Sequence, residues 1–304
     1  MRAVFVDASE TLAAVAHRLL RPDDPAFAIN LQPDIAPEDL PALLVGAEIA
    51  VIDHTALPVD VARACTGLRH VVFLGTGARS YMDPEALRTA CGVTVHTIKG
   101  YGDTAVAECA FALMWAAARG LPEMDRAIRA GRWLRTEAIQ LTGKTVGLIG
   151  FGGIAGEMAR LCHGAGLRVL AWNRTPKTHQ GVAFVSLEQL LQESDVVSLH
   201  LLLTDETRGF LSAARIAAQK PGAILINTAR GALIDEDALV EALRTGRIAA
   251  AGLDVFAVEP LPGDHPLAGL PNVVLSAHSA FRTPEASDNL IGAALDHCRR
   301  IAVG

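Results

Sequence analysis

The sequence has few aromatic residues, few cysteines and no surplus of basic charge. Only 5% of its 304 residues are aromatic while 51% are hydrophobic, so most of the apolar content comes from aliphatic side chains. That composition favours parallel sheets covered by helices. Lysine and arginine number 27 against 33 aspartate and glutamate, which gives a formal net charge of −6. The basic surface that nucleic-acid phosphates require is missing, so we expect no nucleic-acid partner.

The cysteines show no pairing pattern and no metal-ligand spacing. None belongs to a C-x-x-C pair, and their number is odd; they are Cys65, Cys91, Cys109, Cys162 and Cys298. Such cysteines are typical of reduced thiols in the core of a cytoplasmic protein. We therefore expect neither disulfides nor a metal site.

Long hydrophobic runs are also missing. The longest apolar helical tract, TAVAECAFALMWAAARG at 104–120, contains Glu108 and Arg119 and is too short to span a bilayer. The N-terminal residues MRAVFVDASE begin with a short apolar strand, without the basic and apolar segments of a signal peptide. We expect a soluble, cytoplasmic protein with no membrane partner.

Short β-rich runs alternate with longer helical patterns, which is typical of βαβ units in an α/β fold. A chain of 304 residues is longer than a single hydrophobic core usually accommodates, so two domains are expected. The first series predicts strands at 3–7, 49–53, 70–75 and 93–98, and a long helix follows from Asp103, the expected N-cap. The second series predicts strands at 144–150, 168–173, 195–200, 223–228, 248–254 and 272–277, with a last helix at 284–303.

A glycine-rich stretch, TVGLIGFGGIAGEMARL, contains the first strand of the second series and the start of the next helix. It places Gly150, Gly152 and Ala155 at G-x-G-x-x-A spacing. Gly150 permits a tight turn, and Gly152 lets backbone amides approach a pyrophosphate at the positive helix end. The strand-loop-helix context favours dinucleotide binding over an ordinary glycine-rich turn.

The end of the next strand, where such domains bind the adenine ribose, reads WNRTPK. A carboxylate here would bind the 2′-hydroxyl of NAD, but the chain supplies Asn173, Arg174, Thr175 and Lys177. Two cations and a hydroxyl suit a 2′-phosphate, so we expect NADP to be favoured over NAD. In the alternative interpretation these are solvated loop residues, and Asn173 alone contacts the ribose.

Three ionisable residues lie at or beyond the ends of later strands, where open α/β sheets bind ligands. Arg230 follows AILINT, Glu259 follows AAAGLD, and His278 follows NVVLSA. An arginine can grip a carboxylate through two parallel hydrogen bonds, and a histidine with a carboxylate can transfer protons. Each residue also has an ordinary explanation: an ion pair of Arg230 with Asp235 or Asp237, a loop charge, and a structural histidine. Together they favour an acid–base site.

At this point the sequence resembles the D-isomer-specific 2-hydroxyacid dehydrogenases, including the glyoxylate/hydroxypyruvate reductases. The matching stretches cover roughly the last two thirds of the chain in family order. They are VAE (106–108), VGLIGFGGIA (146–155), SLHLLLTDETRG (198–209), INTARGALIDEDAL (226–239), AGLDVFAVEPLP (251–262) and PNVVLSAHSA (271–280).

The resemblance implies a role for each matching residue. Arg230 would hold the carboxylate and carbonyl of a 2-oxo acid. His278 would donate the proton in reduction, and Glu259 would hydrogen-bond the imidazole, whose charged form a nearby carboxylate stabilises. Asp254 would orient the nicotinamide carboxamide. The other cofactor contacts would be Gly150, Gly152, Gly153, Ile154, Asn173, Arg174, Thr175, Leu202, Thr207, Thr228 and Ala280, besides Arg230 and His278.

The resemblance also implies two parallel-sheet domains, one Rossmann-like and one flavodoxin-like, with the site in a cleft between them. The flavodoxin-like substrate domain would comprise residues 1–98 and 280–304, and the Rossmann domain 99–279. The substrate domain would complete the carboxylate site with backbone amides of the glycine loop Gly75, Thr76, Gly77 and Ala78. From its residues alone this loop is equally consistent with a plain strand-to-helix turn. We further expect a homodimer formed through the cofactor domain.

The chain departs from the family pattern at three positions. Gly153 stands where the family usually has an arginine that contacts phosphate, Cys109 replaces a frequent histidine, and Leu202 replaces a frequent proline. None of these is the proposed proton donor, so they concern cofactor affinity more than reaction class.

The expected activity is the reversible NADP-linked reduction of a small 2-oxo acid, such as glyoxylate or hydroxypyruvate, to the 2-hydroxy acid. One alternative is a related dehydrogenase of another small anion, formate or phosphite. The complete set of Arg230, Glu259 and His278 argues against formate, whose oxidation needs no proton transfer to a carbonyl. The other alternative is an NAD(H)-sensing binding protein without turnover, like the related corepressors.

Overall fold

The computed structural model describes residues 1–303, which divide into two units. Unit 1 comprises Met1–Gly102 and the segment from Thr283 onward, and unit 2 comprises Asp103–Arg282. The domain boundaries expected from the sequence, near residues 98 and 280, lie a few residues from these positions. The assignment of substrate to one unit and cofactor to the other stays a prediction.

Unit 1 contains a five-stranded sheet in which every pairing is parallel, with the order β2-β1-β3-β4-β5. This is the flavodoxin-like order expected for a doubly wound sheet. Its strands are β1 (Arg2–Phe5), β2 (Ala26–Ile29), β3 (Ile49–Ile52), β4 (His70–Phe73) and β5 (Thr94–Thr97).

Helices cover both faces of this sheet. They are α1 (Glu10–Leu19), α2 (Leu40–Leu43), α3 (Val59–Ala64), α4 (Pro84–Cys91) and α12 (Pro284–Val303), with short 3-10 helices at Pro37–Asp39 and Ala78–Ser80. Alternate strand residues point to opposite faces. Phe5 and Val51 therefore pack with α1 and α12, while Val4 and Ile52 pack with α2 and α3. The last helix thus completes the core of the unit that begins the chain.

Unit 2 contains a seven-stranded sheet, again entirely parallel, with the order β12-β11-β10-β9-β6-β7-β8. This is the Rossmann order, and the strand order reverses between β6 and β9. The strands are β6 (Thr145–Ile149), β7 (Arg168–Trp172), β8 (Val182–Phe184), β9 (Val196–Leu199), β10 (Ala223–Asn227), β11 (Ile248–Leu253) and β12 (Val273–Leu275). The predicted α/β fold with two parallel-sheet domains is confirmed.

Two layers of helices cover this second sheet. The first layer, α5 (Asp103–Arg119) and α7 (Gly153–Gly164), packs on one face through residues such as Met114 and Met158. Other helices pack on the opposite face: α8 (Leu187–Glu193), α9 (Ala213–Ala218), α10 (Glu236–Arg244) and α11 (Pro266–Gly269). The remaining helix, α6 (Leu121–Arg129), follows α5 directly, and a 3-10 helix spans Gly231–Leu233.

Local signals explain several helix starts. Ser9, Asp83, Ser186 and Asp235 each accept a hydrogen bond from a backbone N–H of the first turn of α1, α4, α8 and α10 respectively. Asp103, expected to cap α5, is instead its first helical residue.

Within residues 1–303, no single helix is long and apolar enough to cross a membrane. Helices α5 and α6 pass that test only as a pair, and they are bent by 66° relative to each other. One face of α5 lies in the core of unit 2, with Ala107, Ala110 and Met114 fully buried.

Candidate active site

The loop after β6 requires glycine at Gly150. Its backbone is left-handed (φ 88°), and a Cβ there would lie 2.7 Å from the carbonyl oxygen of His200. At Gly152 an added Cβ would meet no atom within 4 Å, so the space beside this residue is open. Open space next to the first turn of α7 is what the close approach of a pyrophosphate requires.

The first turn of α7 also meets a carboxylate. A Cβ on Gly153 would overlap the carboxylate of Asp103, at the start of α5. Burial, with a smaller contribution from Glu157, raises the pKa of Asp103 above its usual range. Gly153 and Ile154 belong to the first helical turn, whose N–H groups have no partner within the helix. These N–H groups can therefore bind an anion by themselves, at the position where the family usually has an arginine side chain.

The loop after β7 is tied to the glycine loop by Asn173. Its Oδ1 accepts a hydrogen bond from Phe151 N at 3.0 Å, and its Nδ2 donates to the carbonyl of Thr175 at 2.8 Å. Lys177 Nζ donates to the carbonyl of Phe151 at 2.5 Å. Asn173 thus has a structural task in addition to any contact with ribose, whereas the exposed Arg174 pairs with Glu206 at 2.9 Å.

The loop after β9 contains the predicted cofactor contacts Leu202 and Thr207. Thr207 Oγ1 donates to the carbonyl of Leu202 at 2.7 Å and accepts from Thr204 N at 2.7 Å, which fixes the turn. The Leu202 side chain is exposed. At the strand end, His200 Nε2 bonds Ser198 Oγ at 2.9 Å, and burial lowers the pKa of His200 to about 4.

Arg230 lies just after β10, in a loop held by Asn227. Asn227 Nδ2 donates to the carbonyl of Arg230 at 2.9 Å, and its Oδ1 accepts from Ala229 N at 3.0 Å. Within residues 1–303 no carboxylate forms an ion pair with Arg230, whose Nη1 donates to the Ala229 carbonyl at 2.6 Å. Asp235 instead caps α10. The guanidinium therefore keeps its charge uncompensated by the protein.

A glycine lets the arginine loop pack against the loop after β11. A Cβ on Gly231 would overlap the peptide between Phe256 and Ala257. The backbones of the loops that contain Arg230 and Glu259 are therefore in direct contact. No sequence motif predicts this contact, which brings the two predicted site loops together.

Glu259 joins that second loop to His278. Its Oε2 lies 2.6 Å from His278 Nδ1, while its Oε1 accepts from Phe256 N at 2.9 Å. The carboxylate is thus fixed at both oxygens, and it holds the imidazole by one ring nitrogen. His278 has a left-handed backbone (φ 47°), rare for a residue with a side chain, and strain of that kind gathers at functional sites.

Asp254 fixes the backbone of the histidine loop. It is fully buried, and its two oxygens accept from Ser276 Oγ at 2.5 Å, Ser279 N at 3.0 Å and Ala280 N at 2.9 Å. His278 N donates to the Asp254 carbonyl at 2.7 Å. The carboxylate expected to face the nicotinamide therefore already has three protein donors, and its contacts position the residues around His278.

Cys109 lies near the same carboxylate. Burial, and then the charge of Asp254, raises the pKa of the Cys109 thiol to about 11, although a hydrogen bond with Ser276 works against this shift. The thiol stays protonated at neutral pH and packs as a small core residue, as its sequence context predicts.

Thr228 and the predicted glycine loop of unit 1 have hydrogen-bonding groups that the described residues leave unused. Thr228 Oγ1 is buried and has no partner among the residues that the structure describes, which suits a group that meets a ligand. In unit 1, the backbone amides of Thr76 and Gly77 form none of the protein hydrogen bonds in the described chain. Gly75 (φ 155°) and Ala78 bound this segment after β4.

Sequence reasoning assigned no role to several residues that the structure places at the site. Asn227 and Ser276 stand at strand ends beside the predicted residues, and strand-end position was the signal that could have identified them. Phe256 and Glu206 carry no such signal, because their contacts come from loops distant in sequence.

Comparison with known proteins agrees with this geometry. A family model described as the NAD-binding domain of the D-isomer specific 2-hydroxyacid dehydrogenases matches residues 111–280. The chain belongs to this family.

Members of this dehydrogenase family are similar to this chain over two thirds of its length or more. A glyoxylate reductase of Aeropyrum pernix is 41% identical over 67% of this chain and 67% of its own. A glycerate dehydrogenase of Methylorubrum extorquens is 34% identical over 88% and 87% of the two chains. The solved structure of an acyclic imino acid reductase, Bsp5, in complex with NADPH and D-Arg is 27% identical, with a TM-score of 0.87 over 100% of this chain and 97% of that one.

This D-2-hydroxyacid dehydrogenase is therefore an oxidoreductase that acts on CH–OH donors. It uses a nicotinamide cofactor, and its reaction interconverts small 2-oxo acids and 2-hydroxy acids. The glycine loop after β6, with open space at Gly152 and unpaired amides in the first turn of α7, fits such a dinucleotide.

Proposed function

We propose that the protein reduces glyoxylate or hydroxypyruvate to the corresponding 2-hydroxy acid, in the D form where the product is chiral, with Arg230, Glu259 and His278 as its catalytic residues. The observation that carries this proposal is the 2.6 Å hydrogen bond between Glu259 and His278. The loop that contains Glu259 packs on the loop that contains Arg230, which forms no ion pair within residues 1–303. A carboxylate, an imidazole and a free guanidinium are the groups that a 2-oxo acid needs.

Each residue has a defined task in this proposal. Arg230 binds the substrate carboxylate through two parallel hydrogen bonds and polarises the neighbouring carbonyl oxygen. Glu259 accepts a hydrogen bond from Nδ1–H of the His278 imidazolium, and Nε2 delivers its proton to the carbonyl oxygen, which leaves a neutral imidazole protonated at Nδ1. When bound, the dinucleotide supplies the hydride for the carbonyl carbon. His278 regains its proton from solvent after the product leaves.

For the cofactor, we propose contacts from the glycine loop, Thr228 and the residues after β7. Gly150, Gly152, Gly153 and Ile154 provide backbone space and amides for the pyrophosphate. Arg174 and Thr175 provide a cation and a hydroxyl for a 2′-phosphate, which favours NADP over NAD. Leu202, Thr207 and Ala280 complete the lining, and Asp254 acts through the loop that it holds.

For the substrate, we propose that unit 1 contributes the glycine loop Gly75, Thr76, Gly77 and Ala78. Its support is the pair of unused amides at Thr76 and Gly77, which are donors without a protein acceptor within the described part of the chain. Amides in such a loop bind carboxylates without the need for a charged side chain.

We also propose that the protein is a cytoplasmic homodimer, assembled through unit 2. The α6 region and the segment after it present several exposed apolar side chains, with Trp133 78% exposed. The others are Leu121, Ile128 and Ile139. Isolated exposed apolar residues are ordinary, but several in one segment mark an interface.

Turnover assays test the function. Glyoxylate, hydroxypyruvate, pyruvate, formate and phosphite are each offered with NADH and NADPH or with the oxidised cofactors. We expect turnover of the 2-oxo acids. Turnover of formate or phosphite alone would overturn the substrate class, and cofactor binding with no turnover of any acid would favour the sensing role instead.

A further inference from the structure

Opposite charges meet where the chain is expected to bind the adenine ribose. Arg174 follows β7, and its Nη1 lies 2.9 Å from Oε2 of Glu206, in the loop after β9. The side chains are 81% and 76% exposed. Residue 173, the position that carries a ribose-binding carboxylate in NAD-dependent Rossmann domains, is an asparagine. The acidic group that pairs with Arg174 comes from a different loop.

Both side chains extend from backbones that hydrogen bonds hold in place. Arg174 follows Asn173, whose amide bonds Phe151 N and the Thr175 carbonyl. Glu206 lies within a turn that two hydrogen bonds close. Thr204 N donates to Thr207 Oγ1, and Arg208 N donates to the Thr204 carbonyl. The backbones that carry the two side chains are thus held in place by hydrogen bonds, and the exposed side chains meet between the two loops.

We infer that Glu206 is a specificity-determining residue that opposes Arg174 and moderates the preference for NADP. A 2′-phosphate dianion is a stronger partner for a guanidinium than an exposed carboxylate, so it can displace Glu206 from Arg174. The negative charge of the bound 2′-phosphate then lies beside the Glu206 carboxylate, and the two like charges repel each other. The same carboxylate is an acceptor for ribose hydroxyls when no 2′-phosphate is present.

With both Arg174 and Glu206 present, the site that binds the adenine ribose accepts both NADP and NAD. Discrimination is a difference between two affinities, and removal of either charge shifts that difference in a known direction. Loss of the carboxylate favours NADP, and loss of the cation favours NAD. This inference rests on the proposed binding of the dinucleotide at this edge of unit 2.

Fragment binding and kinetics test it together. Isothermal titration calorimetry measures the affinity of 2′,5′-ADP and of 5′-AMP for the wild type, Glu206→Gln and Arg174→Gln. In Glu206→Gln we expect the affinity for 2′,5′-ADP, and the NADPH/NADH ratio of kcat/KM, to rise about three- to tenfold. In Arg174→Gln both quantities fall. Asp205→Asn removes the adjacent exposed carboxylate, which belongs to no ion pair of the described residues, and serves as the matched control with no change.

Three results would overturn the inference. The first is a Glu206→Gln variant that behaves like the wild type in both measurements. The second is an equal shift in Asp205→Asn, which would assign the effect to net charge. The third is an Arg174→Gln variant whose affinity for 2′,5′-ADP does not fall, which would exclude the cation of the pair from binding the 2′-phosphate. A wild type that binds neither NADPH nor NADH would instead refute the proposed cofactor site itself.

Discussion

His278 and Glu259 are joined by a 2.6 Å bond between Nδ1 and Oε2, although 19 residues separate them in the chain. The other oxygen of Glu259 is held by Phe256 N. Because both carboxylate oxygens are engaged, the imidazole is held at Nδ1, and its Nε2 has no protein partner within residues 1–303. That arrangement is the one that the proposed acid–base role of His278 requires.

Replacement of His278 by alanine should abolish proton donation while cofactor binding persists. We expect kcat for 2-oxo acid reduction to fall about 10²- to 10⁴-fold, the usual contribution of a general acid. Steady-state kinetics and NADPH titration by fluorescence measure the two effects. His17→Ala, on the exposed side of α1, is the control. A His278→Ala enzyme that keeps wild-type turnover would exclude this residue as the proton donor.

Replacement of Arg230 by lysine should keep the charge but lose the paired hydrogen bonds to the substrate carboxylate. We expect kcat/KM to fall about 10- to 150-fold, the range for a charge-assisted hydrogen bond. Initial rates across glyoxylate concentrations measure the change. Arg244→Lys, at an exposed position of α10, should leave kcat/KM unaltered. Equal losses in both variants would point to a general effect of arginine removal.

Replacement of Gly231 by alanine should destabilise unit 2, because the new methyl group would overlap the Phe256–Ala257 peptide. Backbone cannot move aside as a flexible side chain does, so we expect a loss of about 2–4 kcal/mol in the free energy of unfolding. Urea denaturation followed by fluorescence measures it. Gly263→Ala is the matched control, since its added methyl would meet nothing within 4 Å. Equal stabilities of the two variants would contradict the contact.

His200 should make the protein less stable in mild acid. Its pKa in the folded state is lowered to about 4 by burial, below the value near 6.5 in the unfolded chain, so the unfolded state binds the proton first. The free energy of unfolding should therefore fall by up to about 3 kcal/mol as pH decreases from about 6.5 to about 4, with no contribution above that window.

The variant His200→Gln tests this dependence, since its amide can still bond Ser198 Oγ but does not titrate. Denaturation at several pH values should show a shallower decline for this variant than for the wild type. His17→Gln, which changes an exposed histidine, should retain the wild-type slope. A slope unchanged in His200→Gln would assign the acid sensitivity to other groups.

Replacement of Trp133 by glutamate should weaken the proposed dimer, because a charge would enter the apolar face of α6 and the segment after it. We expect the apparent mass in size-exclusion chromatography with light scattering to shift from two chains towards one. Leu31→Glu changes an equally apolar exposed residue, 59% exposed and in unit 1, and should leave the mass unaltered. A wild type that is already monomeric would refute the dimer directly.

Strand prediction succeeded for the interior strands of both sheets and for one edge strand of each, β5 and β12, but it missed the other edge strand. The missed strands are β2 (Ala26–Ile29) and β8 (Val182–Phe184), each the outermost strand at one side of its sheet. An edge strand pairs on one side only and is less buried, so its sequence lacks the continuous apolar run of an interior parallel strand. The burial patterns of β2 and β8 contain no fully buried residue, as is also true of β5, whose β-branched residues nevertheless predicted a strand.

The sequence by itself determined the α/β class and the position of the glycine loop, and it predicted Arg230, Glu259 and His278 as site residues. Buried parallel strands require long apolar runs, and a tight turn requires glycine, so both leave local signals. Tertiary structure alone decided the contact of Gly231 with Phe256, the three donors around Asp254 and the pairing of Arg174 with Glu206. Those contacts join loops that follow different strands. Their partners are set by strand order and by the spacing of the sheet, which short stretches of sequence do not encode.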